Sequence, residues 1–272
     1  MKTKMLMLGV VSCLLFVSCN KEESTTPINA TDIAANAKID DVSDDVLQIV
    51  ESQSNNDSGA GRMSSASENF LSNCANISTD KTGNTWTRTI DFGATNCELY
   101  NGNSVRGKII LVFTNDFDAT TRTITYTPEN FYHNNRLVEG TRTVVKTILP
   151  NGHPQATINL NLKVTNTDGS IFTRVGTRVR EFTDGYNTPN ILADNVFSIT
   201  GNWTTTLPSG IVHTTTITSP IIVKWNCRHI VSGTISFEKT HTTGILDYGG
   251  GTCDAKATVT INGVVREVIL GN

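Results

Sequence analysis

The sequence predicts an all-β domain that begins near residue 69 and continues to residue 272. Threonine, which favours strands, is the commonest residue there, and helical stripes of apolar residues are absent. Short alternating runs are separated by turn dipeptides of the kind that join antiparallel strands. These dipeptides are Asn101-Gly102, Asn151-Gly152, Asp168-Gly169, Asp184-Gly185, Ser209-Gly210 and Asn262-Gly263.

The clearest strand runs from Ile158 to Val164. Apolar side chains occupy every second position, and polar ones stand between them. Because side chains alternate between the faces of a strand, this run predicts one buried and one solvated face. About ten to twelve such strands fit the domain, as an antiparallel meander. Two arrangements remain open: a two-layer sandwich, or a strongly bent sheet that forms a half-barrel.

The N-terminus has the layout of a lipoprotein signal peptide, residues 1–18. Lys2 and Lys4 precede an apolar stretch from Met5 to Val17, which is too short to span a bilayer but fits a signal sequence. Ser18 stands before Cys19, the residue that a lipoprotein signal peptidase requires at this point. The sequence therefore predicts a lipid anchor on Cys19.

Residues 19–68 are predicted to be an acidic tether with one short helix. Residues 20–68 hold three basic and ten acidic side chains, whereas residues 69–272 carry a net charge of +2. A near-neutral domain argues against nucleic acid as a partner. Ser43 is the expected N-cap of the helix, or the helix begins earlier, near Ile33. Residues 52–67 are expected to form a linker or long loop. The apolar side of the helix is Val46, Leu47, Ile49 and Val50.

The four cysteines that follow Cys19 indicate disulfides and an oxidising compartment. Asp, an aromatic residue, Gly and Cys recur at identical spacing in residues 91–97 and 247–253. Each of these two cysteines follows another by about two dozen residues, in loops that a disulfide would stabilise by roughly 3 kcal/mol. The pattern favours Cys74 with Cys97 and Cys227 with Cys253. A metal site is the weaker alternative, because there is no CxxC and no His at ligand spacing beside any of the four.

No motif indicates catalysis. The five histidines are scattered, and no serine lies in a GxSxG elbow. Asp247 and Asp254 could hold calcium, but a tight turn beside a disulfide explains the glycines between them more simply. We expect no cofactor and no metal.

Two groups of side chains are candidate ligand contacts. Arg174, Arg178 and Arg180 share one face of a strand and could meet an anionic ligand, although a solvated face with acidic cross-strand partners is favoured. Exposed tryptophans would suggest a sugar-stacking platform, although burial in the core is the favoured interpretation. The tryptophans are Trp86, Trp203 and Trp225.

Three segments resemble an all-β lipoprotein family of the Bacteroidota (Flavobacteriia-type) that has a C-terminal DYGxGxCD motif. They are residues 91–109, residues 131–141, and residues 247–263, which begin with Asp247-Tyr248-Gly249 and reach Cys253-Asp254. Lys21-Glu22-Glu23 is similar to the acidic export signal of surface lipoproteins in that phylum. The resemblance implies an all-β envelope domain and brings no reaction or catalytic residue with it.

We therefore expect an outer-membrane lipoprotein that is exposed at the cell surface, or faces the periplasm as an alternative. It is expected to act without catalysis, as a binding or structural module for a glycan, an envelope protein or a lipid. The alternative is a carrier of a lipid or other apolar ligand in a half-barrel. A hydrolase is the third expectation.

Overall fold

The computed structural model describes residues 30–54, 71, 74–99, 101–117, 119–188, 191–227, 229–239 and 242–270. The predicted signal peptide, Cys19 and most of the predicted linker lie outside these residues. The helix α1 spans Ala30–Ser54, and a short 3-10 helix spans Leu192–Asp194.

Fifteen strands follow α1 in the described part of the chain. They are β1 (Asn76–Thr82), β2 (Thr85–Asp91), β3 (Cys97–Glu98), β4 (Ser104–Thr114), β5 (Thr121–His133), β6 (Arg136–Glu139), β7 (Arg142–Ile148), β8 (Pro154–Thr165), β9 (Ile171–Asp184), β10 (Val196–Thr206), β11 (Val212–Lys224), β12 (Ile230–Lys239), β13 (Thr242–Gly250), β14 (Lys256–Ile261) and β15 (Val264–Ile269).

The strands form one antiparallel sheet in nearly sequential order, which confirms the all-β prediction. The short β3 pairs only with β4, and β6 and β7 each lie between β5 and β8. These short pieces explain why the sheet has more strands than the ten to twelve expected. β1 and β15 are its two ends. The sequence left open a two-layer sandwich and a strongly bent sheet, and the structure has one sheet instead of two layers.

The sheet is strongly bent. Tyr248 on β13 lies close enough to Arg178 on β9 to contribute to raising the pKa of its guanidinium, although three strands lie between them in the sheet. In a flat sheet these strands would be roughly 19 Å apart, because neighbours are spaced by about 4.8 Å. The sheet therefore curls back toward itself, and one of its faces becomes an inner face.

Two glycines allow β9 and β10 to approach closely at this bend. Gly176 and Gly201 have φ angles of 154° and 140°, which side-chain-bearing residues rarely adopt. A Cβ on Gly176 would lie 2.5 Å from Cα of Trp203, and a Cβ on Gly201 would lie 2.9 Å from Cα of Arg178. Only glycine fits at these positions without moving the neighbouring backbone.

The part of α1 from residue 39 to residue 54 lies inside the bent sheet. None of its described side chains, at residues 39, 40 and 42–54, is exposed. Its apolar residues belong to the same buried cluster as those of the sheet, and Val46, Ile49 and Val50 are fully buried. A helix buried on all sides is enclosed rather than laid on a surface. The expected apolar side is thus confirmed, within a helix that is part of the folded body.

Ser43 is not the N-cap that we expected, because α1 begins at Ala30, close to the alternative start near Ile33. Ser43 is buried in the middle of the helix. Contacts with the enclosing sheet stabilise helical turns that the local sequence favours only weakly, since most helical stability in proteins comes from tertiary packing.

Candidate functional site: the inner face of the sheet

The inner face of the sheet carries a set of basic side chains, five of which contact α1. Each stands on the buried face of its strand, in line with apolar residues of the core. These residues, which we call the inner-face cations, are Arg88 on β2, Arg122 on β5, Arg142 and Lys146 on β7, and Arg174, Arg178 and Arg180 on β9. Buried charges need partners, because removing an ion from water is costly.

Three of these cations pair with acids on one side of α1. The arginines stand at even-numbered positions of β9 and so project to one face, and the acids recur at helical spacing. The pairs are Asp40 with Arg174, Asp44 with Arg178 at 2.9 Å, and Glu51 with Arg180. Burial lowers the pKa of Arg180 to about 10, and the charge of Asp44 opposes this change.

Asp45 anchors α1 to the opposite part of the sheet. Its carboxylate accepts hydrogen bonds from Nδ2 of Asn101 at 2.8 Å and Nδ2 of Asn103 at 2.7 Å. The imidazole of His133 lies 2.7 Å from the same carboxylate, through Nε2. Since a carboxylate can only accept, Nε2 carries the proton. This side chain thereby ties the helix to the loop before β4 and to the end of β5.

The C-terminus of α1 meets two further arginines. Arg88 donates to the carbonyl oxygen of Gln53, and Arg122 donates to that of Ser54 at 2.5 Å. The last turn of α1 contains no basic residue. The sheet therefore supplies the positive charge that favours the negative end of a helix dipole and satisfies its terminal carbonyls.

Arg142 differs from the other inner-face cations. Its side chain is 1% exposed, and none of its three guanidinium nitrogens has a hydrogen-bond partner in the described part of the chain. The ring of Tyr126 lies 5.1 Å from the guanidinium, a cation–π contact that compensates only part of the lost hydration. The structure thus keeps a guanidinium in the core without a hydrogen-bonded acid among the described residues.

Lys146 adds a second positive charge on β7. It stands directly opposite Arg122 in the β5–β7 ladder. Burial, and then the charge of Arg122, lower the pKa of Lys146 to about 8. Like charges in direct opposition destabilise a sheet, so this pair is costly for the folded protein.

Little empty space remains between β8 and the part of α1 that contains residues 43–47. A cavity of about 10 Å³ lies between Ser43, Asp44 and Leu47 of the helix and Ile158 and Leu160 of β8. A volume of this size holds at most one water molecule. In this structure α1 itself occupies the inner face.

The candidate contacts on β9 are brought together, but not on a solvated face. Arg174 is 1% exposed and Arg178 is 6% exposed, whereas Val175 is 54% exposed. The expectation of a solvated arginine face with cross-strand acids is wrong, because the acids come from α1. The charges face inward and the valine faces out.

The tryptophans lie mainly in the core. Trp86 packs against Phe113 and Phe117 and is buried, and Trp203 is buried beneath Arg174. Trp225 is half-buried against the same core. None of the three offers the open stacking surface that a sugar platform requires.

The two predicted disulfides are present. Cys74 is bonded to Cys97, and Cys227 to Cys253. Near the second bond, Asp247 and Asp254 accept hydrogen bonds from the backbone of Gly249 and Lys256, so their carboxylates stabilise turns. No group of three or more His, Cys, Asp or Glu side chains in the described residues could hold a metal ion.

The sequence contains a signal for the other inner-face cations, which were not among the predicted ligand contacts. Arg88 stands two positions from both Trp86 and Ile90, and so shares their buried face. Arg142 likewise shares a face with Val144. A basic residue that takes the place of an apolar one in an alternating strand indicates a charge on the buried face. The pattern does not reveal the partner of that charge.

No helix in the described ranges is both long and apolar enough to cross a membrane. No family model, curated protein or solved structure matches this chain.

Proposed function

We propose that this chain is an envelope lipoprotein that acts by binding rather than by catalysis, with the inner face of the sheet as its binding surface. The observation that carries this proposal is the enclosure of an acidic helix by a cationic inner face. α1 contributes Asp40, Asp44 and Glu51, and the sheet contributes their arginine partners. A face that already holds one acidic, apolar element has the chemistry to hold another.

The envelope placement rests on the sequence. Cys19 follows an apolar signal-like stretch, and the two disulfides of the body fit an oxidising compartment. The resemblance to Bacteroidota lipoproteins adds the outer membrane as the site, with the domain at the cell surface, or facing the periplasm as the alternative.

Cys19→Ala tests the anchor. We expect this variant to leave the membrane fraction and to lose the mass of its lipid, with Cys13→Ala as the matched control that keeps both. Unchanged membrane association and processing in Cys19→Ala would overturn the anchor.

A second candidate is a carrier of a lipid or other apolar ligand in the half-barrel. It is favoured by the apolar part of the inner face, where Ile158, Leu160 and Ile199 line the small cavity together with Leu47 of α1. A carrier needs a larger space than about 10 Å³, so α1 would have to move away.

The test of the binding function is mass spectrometry of the molecules that the full chain retains after gentle purification from its native envelope. We expect a small molecule to be retained at stoichiometric amount, an acidic one for the first candidate and an uncharged lipid for the second. A protein that is empty, and that binds no envelope extract, would overturn the binding function.

A further inference from the structure

The strongest unexplained feature of the molecule is the polarity of its interior. A permanently enclosed helix is held as well or better by apolar contacts, because buried ion pairs seldom add stability over apolar residues of similar volume. Here the contacts between α1 and β9 include three acid–arginine pairs. Polar contacts of this kind are exchangeable, since another acid can take the place of the first.

We propose that the inner face binds an anionic amphiphile and that α1 occupies this site as a resident competitor, which the ligand displaces. The inference rests on the binding function proposed above and adds the class of ligand and the role of the helix. The helix shows which chemistry fits the inner face, because α1 presents acidic groups along one side of an apolar body.

Arg142 supports this assignment independently of the helix contacts. Its guanidinium is buried and lacks a hydrogen-bond partner in the described residues. A buried charge without an acid is costly in the closed form, and an acidic ligand group would remove that cost. A guanidinium also presents paired donors that match phosphate and carboxylate groups.

Other buried groups on the inner face can also donate. Nε1 of Trp203 on β10 and Oγ1 of Thr215 on β11 are neighbours in the ladder, and neither has a hydrogen-bond partner within the described ranges. An indole donates only, and a hydroxyl can donate. Unsatisfied donors, rather than acceptors, are what a site for an acidic ligand requires.

The architecture allows α1 to leave without breaking the sheet. β1 and β15 are the ends of the strand order and are not paired with each other in the described ladders, so the bent sheet has an open seam. Both disulfides lie outside α1. Cys74, bonded to Cys97, fixes the chain just before β1. The displaced helix would therefore stay attached at a fixed point.

The test uses the full chain, purified from membranes and placed in phosphatidylcholine nanodiscs. The probes are octyl phosphate, octyl glucoside and inorganic phosphate, titrated by calorimetry against an empty-nanodisc blank. Hydrogen exchange of the amides of residues 39–54 is followed in parallel. We expect octyl phosphate to bind and to increase exchange in α1, and we expect the other two probes to bind at least tenfold more weakly.

Variants separate competition by α1 from a purely structural role. Asp44→Asn weakens the closed form and is expected to bind octyl phosphate several-fold more tightly, because the competent state becomes more populated. Glu139→Gln, which removes the acid of an exposed pair with Lys163, is the matched control and is expected to leave affinity unchanged. Arg142→Met keeps the helix contacts and is expected to bind about tenfold more weakly, as for the loss of one charged hydrogen bond.

The outcomes distinguish the inference from the function on which it rests. Equal binding of octyl glucoside, or binding of octyl phosphate with α1 still protected, would overturn the inference and leave a binding module. The inference would also be overturned if a folded Asp44→Asn variant bound octyl phosphate more weakly than the parent. Unchanged affinity in Arg142→Met would overturn it too. If octyl phosphate does not bind while the native chain retains another molecule, the inference fails alone. If no probe binds and the native chain is empty, both fail.

Discussion

Arg174 on β9 donates a hydrogen bond to Asp40 of α1, 134 positions earlier in the chain, and both side chains are buried. This contact joins the first described element to the middle of the sheet. It also neutralises a guanidinium that is buried in the interior. The stability of the interior depends on pairs of this kind. The proposed displacement of α1 by a ligand depends on them as well.

The first prediction concerns that pair. Asp40→Asn removes the carboxylate that is paired with the buried Arg174, so we expect the free energy of unfolding to fall by about 3 kcal/mol. Urea unfolding followed by circular dichroism measures the change.

The control for Asp40→Asn is Glu139→Gln, whose partner Lys163 is 44% exposed. An exposed pair contributes less than about 1 kcal/mol, so its loss should be small. Equal losses in the two variants would contradict the importance assigned to the buried pair.

The second prediction is that removing a buried cation stabilises the protein. In Arg142→Met a guanidinium without a hydrogen-bond partner among the described residues is replaced by an apolar side chain. We expect the free energy of unfolding to rise by about 1 kcal/mol. Arg174→Met is the comparison and should lower the free energy of unfolding, because the buried Asp40 loses its ion-pair partner. A loss of stability in Arg142→Met similar to that in Arg174→Met would argue against the role assigned to Arg142.

The third prediction is a pH dependence caused by Lys146. Its pKa is about 8 in the folded protein and is ordinarily 10.5, so burial disfavours the charged form. Below pH 8 both the folded and unfolded chains hold the proton, and the destabilisation is complete. Between pH 8 and 10.5 the unfolded chain holds more protons, so stability rises with pH.

Lys146→Met isolates this dependence. The variant should be more stable than the parent by roughly 2 kcal/mol at pH 7, and the difference should shrink toward pH 10. Lys163→Met, at an exposed site, is the control. A difference that stays constant across this range in urea titrations would show that Lys146 does not titrate as stated.

The fourth prediction tests the bend between β9 and β10. In Gly176→Ala the new methyl group would lie 2.5 Å from Cα of Trp203 on a backbone with φ of 154°. We expect a loss of about 2 kcal/mol or more in the free energy of unfolding. At Gly250 a Cβ meets nothing within 4 Å, so Gly250→Ala should change stability by no more than about 0.5 kcal/mol. Thermal unfolding of both variants would show whether the bend depends on this glycine.

Local patterns were sufficient to predict the fold class and the disulfides. The alternation of Ile158, Leu160, Leu162 and Val164 marks a buried face, and all four side chains are buried. The repeated spacing before Cys97 and Cys253 identified the bonded partners. Both signals depend on neighbours in sequence, which is why they can be read without the fold.

The orientation of β9 could not be read in this way. Hydrophobic alternation predicts that Val175 and Val179 face the core. The structure instead buries Arg174 and Arg178, which stand on the opposite face of the strand. The acids that make this possible lie in α1, more than 120 positions earlier, and no local pattern joins the two segments. The burial of α1 was hidden for the same reason: its acidic composition resembles a solvated tether until the arginines are seen.

The central claim is that α1 is an exchangeable occupant of the inner face. Native-state hydrogen exchange of the full chain at increasing denaturant concentration tests it without any ligand, because it resolves the free energy at which each segment opens. We predict that the amides of residues 39–54 open together, at a free energy clearly below that of β8 and β9. If these amides exchange only with global unfolding of the sheet, α1 is a permanent part of the core and the claim is wrong.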